Sequence, residues 1–393
     1  MASGKFGHGR VTVFVHRSGS RIIRMSPFDA VLLLSFGGPE GPADVLPFLE
    51  RVTAGRGIPQ ERLAVVERQY QAFGGVSPIN DQNRQLRSAL EAALNPGRTL
   101  GDPDYLPVYL GNRNWDPLLA DTLRQMRAAD VQRAAVVVTS GYSSYSGCRQ
   151  YRENLYDAVT EVESDGAGHA PELHKIRRWF DQPAFIEVMT ENVIDAVRSL
   201  PDVDLADLRL AFTTHSIPLR QAESSGDPAL GGNMYVEQHE FVAEAIAARV
   251  AETLAERIPW RLVYQSRSGP PAVPWLEPDI SDHLDELKTQ GANAVVIVPI
   301  GFMSDHMEVM WDLDTVALNH AGKIGLRAAR ARTVGADPRF VAALAGLVRE
   351  RESEIPMLDR IALAPWGPAP DVCPVGCCAN PRADRPALCG ADS

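Results

Sequence analysis

A histidine closes an apolar run in "LAFTTHSIP", where His215 follows Thr213 and Thr214 and Pro218 ends the ladder. An imidazole at the carboxyl end of a strand can accept or release a proton near neutral pH. The plain alternative is a packed, hydrogen-bonded histidine at a sheet edge. A second stretch, "VVIVPIGFMSDHMEVMWDLDTVA", turns at Gly301 and then carries Asp305, His306, Glu308 and Asp312. Helical spacing puts Glu308 and Asp312, and also Asp305 and Glu308, on neighbouring positions of one face. Ser304 and Asp305 fit as helix caps, but capping does not account for three acids with a histidine. Carboxylates beside imidazole suit proton removal or a divalent cation in transit. The first half offers different chemistry. "LGNRNWDP" holds Arg113, and "TSGYSSYSGCRQY" holds Tyr142, Ser143, Tyr145 and Arg149. Guanidinium, hydroxyls and aromatic rings suit a flat ligand bearing carboxylates, although each serine taken alone reads as ordinary loop chemistry.

The elements that must position these groups alternate along the chain. Near-continuous apolar runs at 29–39, 106–112, 133–142, 208–218, 260–266 and 293–302 read as strands buried on both faces. Helical patterns cover 116–129, 148–162, 183–200 and 240–256. The alternation predicts an α/β class fold of two Rossmann-like, doubly wound parallel-sheet domains, joined near 170–180. The divisions expected are an N-terminal extension at 1–26, a first domain at 27–175, a second at 176–355, and a cysteine-rich tail at 356–393. Ligands of such folds bind outside the carboxyl ends of the strands, where His215, Gly301 and Arg113 all fall. The turn "FGGP" lacks the G-x-G-x-x-G pattern, so dinucleotide binding gains little support.

Composition narrows the partners. The chain of 393 residues is 45% hydrophobic and 23% charged, which allows a sizeable core. A net charge of -11 argues against nucleic acid. No apolar run approaches the roughly 20 residues of a membrane span, and no secretory signal is visible at the start. A cytoplasmic, monomeric protein with no membrane anchor is the expectation, with Met25 a possible natural start. Of five cysteines, Cys373, Cys377, Cys378 and Cys389 crowd the last 21 residues, and Cys148 lies far upstream. Without a signal sequence, metal or redox use is favoured over disulfides.

Several long motifs occur in one order: "LLLSFGGPE", "FGGVSPINDQN", "LGNRNWDP", "GYSSYSGCRQY", "TTHSIP", "YQSRSGPPAVPWLEPD" and "VPIGFMSDHMEVMWDLD". Over about residues 27 to 355 the chain resembles the ferrochelatases, and most closely their actinobacterial, coproporphyrin-type branch. The resemblance implies a porphyrin cleft between two Rossmann-like domains and insertion of Fe²⁺ as substrate. It makes His215 the catalytic histidine and Glu308 its partner, with Asp305 and Asp312 extending an acidic path for iron or protons. It places porphyrin contacts at Phe36 of the "FGGP" turn, Arg113, Tyr142, Ser143, Tyr145 and Tyr264. Phe36 stands where some relatives carry a tyrosine, so a phenolate iron ligand from that position is unavailable.

The resemblance also implies a [2Fe–2S] cluster held by Cys148 and three tail cysteines. Cys373, Cys377 and Cys378 are the first choice, with Cys389 in reserve. Adjacent Cys377 and Cys378 need an unusual turn to face one centre, and four thiols would equally satisfy zinc. Coproporphyrin III, giving coprohaem, is the expected porphyrin, since the lack of a membrane anchor and the presence of Arg113 and Arg149 suit the more soluble tetracarboxylate; protoporphyrin IX is the alternative. Rival readings are a cobalt or nickel chelatase of the same architecture and a non-catalytic haem or iron carrier.

Overall fold

The computed structural model describes residues 27–55, 57–269 and 272–391. The expected N-terminal extension at 1–26 lies outside the described residues. Two four-stranded parallel sheets organise the chain. The first holds β1 (Ala30–Ser35), β2 (Val108–Asn112), β3 (Arg133–Val138) and β4 (Glu172–Lys175), in the order β2-β1-β3-β4. The second holds β5 (Leu208–His215), β6 (Trp260–Gln265), β7 (Ala294–Val298) and β8 (Arg327–Arg330), in the order β6-β5-β7-β8. The two halves therefore repeat one winding, as the α/β alternation predicts. β1 and β7 are buried at every position, because helices cover both faces of each sheet.

In each half the chain turns one way from the first strand and the opposite way to reach the third. The crevice at that reversal opens between β1 and β3, and again between β5 and β7. A single apolar core runs through both halves, from Leu33 and Val137 to Phe212 and Val296. The helices Pro183–Arg198 and Pro338–Glu352 contribute to it, and Trp179 packs edge-on against Phe185 and Phe340.

Two local expectations change. β4 and β8 have no apolar run: "ELHK" and "RAAR" are four-residue edge strands that hydrogen-bond on one side only. The acidic stretch after β7 is not a plain α-helix. One turn at Met307–Val309 widens into a π-helix over Met310–Ala317. His306, rather than Ser304 or Asp305, caps it, its Nδ1 accepting from Glu308 N–H at 3.1 Å.

Among the described residues, the tail beyond residue 360 carries no helix or strand and runs back along the helix Gln150–Ser164. Arg152 Nε donates to Leu388 O at 2.6 Å, and Arg149 Nη2 to Arg385 O at 2.6 Å. Arg385 pairs with Asp157 at 2.8 Å, and Asn380 Nδ2 donates to Glu153 at 3.1 Å. The C-terminus is thereby tied to the first half of the chain.

Candidate active site and thiol site

His215 is the last residue of β5, and Glu308 follows β7, so the crevice at the second reversal brings them together. His215 Nε2 stands 3.4 Å from Glu308 Oε1. His215 Nδ1–H donates to the Ser216 carbonyl, which can only accept, so Nδ1 keeps its proton and Nε2 is the nitrogen that can exchange one. Burial draws the His215 imidazolium down, but Glu308, the Ser216 carbonyl and Asp312 outweigh it and hold the group up at about 9. Burial works against the Glu308 carboxylate, yet His215 and His306 hold it down at about 2. The pair is an ion pair at neutral pH, and the imidazole at rest is charged.

Asp312 extends this pair. Burial and the nearby Glu308 charge push its carboxyl up to about 6, although Ser266 Oγ–H donates to it. Ser266 adopts φ +63°, a left-handed conformation uncommon for serine, at the end of β6. Gln265 Nε2 donates to Glu308 O at 2.8 Å and ties β6 to the same segment. Asp305 turns elsewhere. Its carboxylate is held by Arg330 at 3.2 Å and Thr333 at 3.1 Å, and Arg330 also grips Asp314.

The first half presents an aromatic surface to this segment. Phe36, Phe48, Tyr70 and Trp115 cluster, with Phe48 edge-on to the other three. Arg113 lies over the rings of Phe36, at 5.5 Å, and Tyr151, at 4.4 Å, while its Nε donates to Asn154. Phe73 meets Trp311 of the π-helix at 6.4 Å, and Asp305 N–H donates to Gln82. Burial raises the Tyr70 hydroxyl, and the Glu308 charge raises it further.

The remaining residues expected at the porphyrin are interior. Tyr142 donates to Ile300 O at 2.9 Å and stacks on His239 with ring centroids 3.6 Å apart. Ser143 exchanges two hydrogen bonds with the Gln238 side chain. Tyr145 donates to Glu153, and Tyr264 is buried. Tyr142 and Ser143 join the halves, with partners 95 or more residues away. Tyr70, Gln265 and Ser266 were not singled out from sequence. Gln265 and Ser266 were accessible to the strand-end rule, since they are the polar residues that close β6.

Cys148, Cys373, Cys377 and Cys378 form a buried cluster. They touch in a ring: Cys373 and Cys378 each hydrogen-bond both Cys148 and Cys377. Those bonds hold Cys148 and Cys377 low and keep Cys373 and Cys378 high. Cys377 Sγ and Cys378 Sγ lie 3.8 Å apart. Two sulfurs about 2.3 Å from one tetrahedral metal stand about that far from each other. The turn this adjacency demands is present, for Cys378 has φ +54° after Gly376 at φ +74°. Cys378 also bonds the second half, its sulfur accepting from Gly226 N–H at 3.2 Å. Cys389 is outside the ring, packed against the core of the first sheet with its sulfur on Leu173 O. Among the described residues no three His, Cys, Asp or Glu side chains close round a single ion.

The ferrochelatase family profile matches residues 28–352, and the chain belongs to that family of lyases. It is 52% identical over 381 residues to a coproporphyrin III ferrochelatase of Streptomyces coelicolor, covering 95% of this chain and 98% of that protein. A coproporphyrin III ferrochelatase of Frankia alni is 54% identical over 354 residues, covering 90% and 87%. Among solved structures, the sirohydrochlorin chelatase SirB of Bacillus subtilis in complex with cobalt aligns with TM-score 0.43 and 9% identity, over 83% of this chain and 96% of that one.

Proposed function

We propose that the protein inserts Fe²⁺ into coproporphyrin III to give coprohaem, with His215 and Glu308 as the reacting pair. The observation that carries the reading is the 3.4 Å His215–Glu308 contact at the strand-end crevice of a chain matched by the ferrochelatase profile. The names of its relatives support the tetracarboxylate substrate. Arg113 over Phe36, at the carboxyl ends of β1 and β2, is the group proposed to meet a propionate.

Insertion forms four iron–nitrogen bonds and releases two pyrrole protons. Glu308, ionised across the working range, meets the arriving cation. As Fe²⁺ draws on that carboxylate, the imidazolium of His215 loses the charge that sustains it. Nε2 then gives up its proton to solvent by way of Asp312 and accepts the two pyrrole protons one after the other, each leaving by the same route, while Nδ1 stays pinned on Ser216 O. Asp312 is poised to pass protons outward, since a carboxyl at about 6 both accepts and releases near neutrality. Asp305, held by Arg330, serves to position the segment.

Anaerobic assays with Fe²⁺ and each porphyrin test this. Turnover of coproporphyrin III well above that of protoporphyrin IX is expected. The reverse preference sinks the substrate assignment, and metalloporphyrin formed only in stoichiometric amount makes the protein a carrier.

We further propose that Cys148, Cys373, Cys377 and Cys378 hold a [2Fe–2S] cluster, with Cys389 free. The fit rests on four mutually touching, buried thiols with Gly226 N–H and Arg178 directed at their sulfurs. When bound, the cluster supplies iron–sulfur bonds that cross-link the tail to the first half. The absorption spectrum of freshly purified protein, with iron and acid-labile sulfide analyses, separates it from colourless zinc thiolate. The protein is proposed to be a cytoplasmic monomer, as suits a water-soluble tetracarboxylate substrate; cell fractionation and light scattering test this.

A further inference from the structure

The thiol site sits against two buried cations, Lys175 and Arg178; Asp181, which pairs with Arg177, is the acid whose charge also acts on Arg178. Lys175 ends β4 and Arg178 follows three residues later, both nearly inaccessible at 4% and 8% exposure. Among the described residues neither forms an ion pair with a carboxylate. The acids close by are engaged: Asp181 and Glu350 pair with Arg177 at 3.2 and 2.6 Å. Lys175 Nζ donates to the Ile176 carbonyl at 2.9 Å. Arg178 Nη1 reaches Cys148 Sγ at 3.9 Å, and its Nε is buried with no partner. The charge of Arg178 faces all four ring sulfurs, and that of Lys175 faces Cys148 and Cys373. Both side chains line one small cavity together with Ser140, Gly147 and Cys148. Buried charges are costly unless a counter-charge is supplied.

The charge arithmetic supplies it. Four thiolates carry -4, and two ferric ions with two sulfides carry +2, leaving -2 against two cations. We propose that Arg178 and Lys175 are the counter-ions of the four-thiolate centre, positioning residues that retain the loaded tail and set its reduction potential. The inference rests on the reading of that centre as [2Fe–2S]. Reduction adds one electron, takes the centre from -2 to -3 and breaks no bond. Each buried cation favours that step, so its removal must disfavour it.

The test uses the full chain as wild type, Arg178→Met, Lys175→Met and Arg178→Lys. Iron and acid-labile sulfide per chain, the midpoint potential in a dithionite titration, and the bleaching time in chelator are measured. Each methionine variant is expected to shift the oxidised-to-reduced ratio at fixed potential about tenfold toward oxidised, about 59 mV. It should also bleach faster. Arg178→Lys should restore most of both. A methionine variant that assembles no centre while Arg178→Lys does is the same result in its strongest form. Unchanged potential and bleaching time in the methionine variants overturn the inference alone, as does loss of the centre in Arg178→Met and Arg178→Lys alike. Wild type without iron and sulfide overturns the cluster reading and this inference with it.

Discussion

In the proposed reaction, His215 and Glu308 divide the work of a metal-for-proton exchange by holding each other's charge. His215 at about 9 is no base at neutral pH until the carboxylate beside it is drawn toward a cation. Replacing His215 with alanine should leave the fold and porphyrin binding intact and lower insertion by about 10²–10⁴-fold, the span of a lost general base; retained turnover by anaerobic assay removes the assignment. Asp312 should set the acid limb. Activity is expected to fall as pH drops through about 6, because the carboxyl is then protonated and cannot take a proton onward. Ser266 donates to the charged form and so lowers that value; Ser266→Ala should move the limb of kcat/KM upward. A limb that stays in place, or moves downward, denies Asp312 this role. The imidazole and the acids were visible in the sequence as polar groups after apolar runs. That Asp305 faces Arg330 was not, because its partner lies on an edge strand with no apolar signature.

Elements fix how closely these groups approach. The turn after β7 can lie against the end of β5 because Gly301 has no side chain: a Cβ there would lie 2.2 Å from Thr214 Oγ1 and 2.9 Å from Thr214 Cα, one residue before His215. Gly301→Ala should therefore displace the strand end, costing about 1–3 kcal/mol of stability and most of the activity, read by thermal melts and by turnover. An unchanged melt with full turnover would show that the strand end yields without harm. Six strands were legible because most of their residues are buried, leaving apolar runs. The π-helix was not, since Met310–Ala317 has the composition of an α-helix and only its hydrogen-bond register differs. Such wide turns recur at functional sites, and here one carries Asp312 and Trp311 together. Tyr142 and Ser143 look like ligand-binding hydroxyls in sequence. Their hydrogen-bond partners, Ile300 O and Gln238, belong to the other half of the chain and cannot be read from neighbours.

Over the whole molecule, two windings of one pattern are joined by a common core and by a tail that touches both. Cys378 bonds Gly226 of the second half, while Arg152 and Cys148 hold the tail on the first. Cys378→Ser should therefore abolish bound iron and sulfide, whereas Cys389→Ser should keep both; equal loss in the two variants would return Cys389 to the ligand set. Which cysteine stands apart was hidden in the sequence, because it turns on the positive φ of Cys378. The ring also has an order of manufacture. Cys373 leaves the ribosome 225 residues after Cys148 (373 − 148), roughly 10–45 s later at ordinary elongation rates. Through that interval the nascent chain carries Cys148, Lys175 and Arg178 without their counterparts. The ring is therefore complete only once residue 378 has been made. Pulse-labelled chains treated with an alkylating reagent should show Cys148 reactive in incomplete chains and protected in released ones; equal reactivity in both would remove that timing.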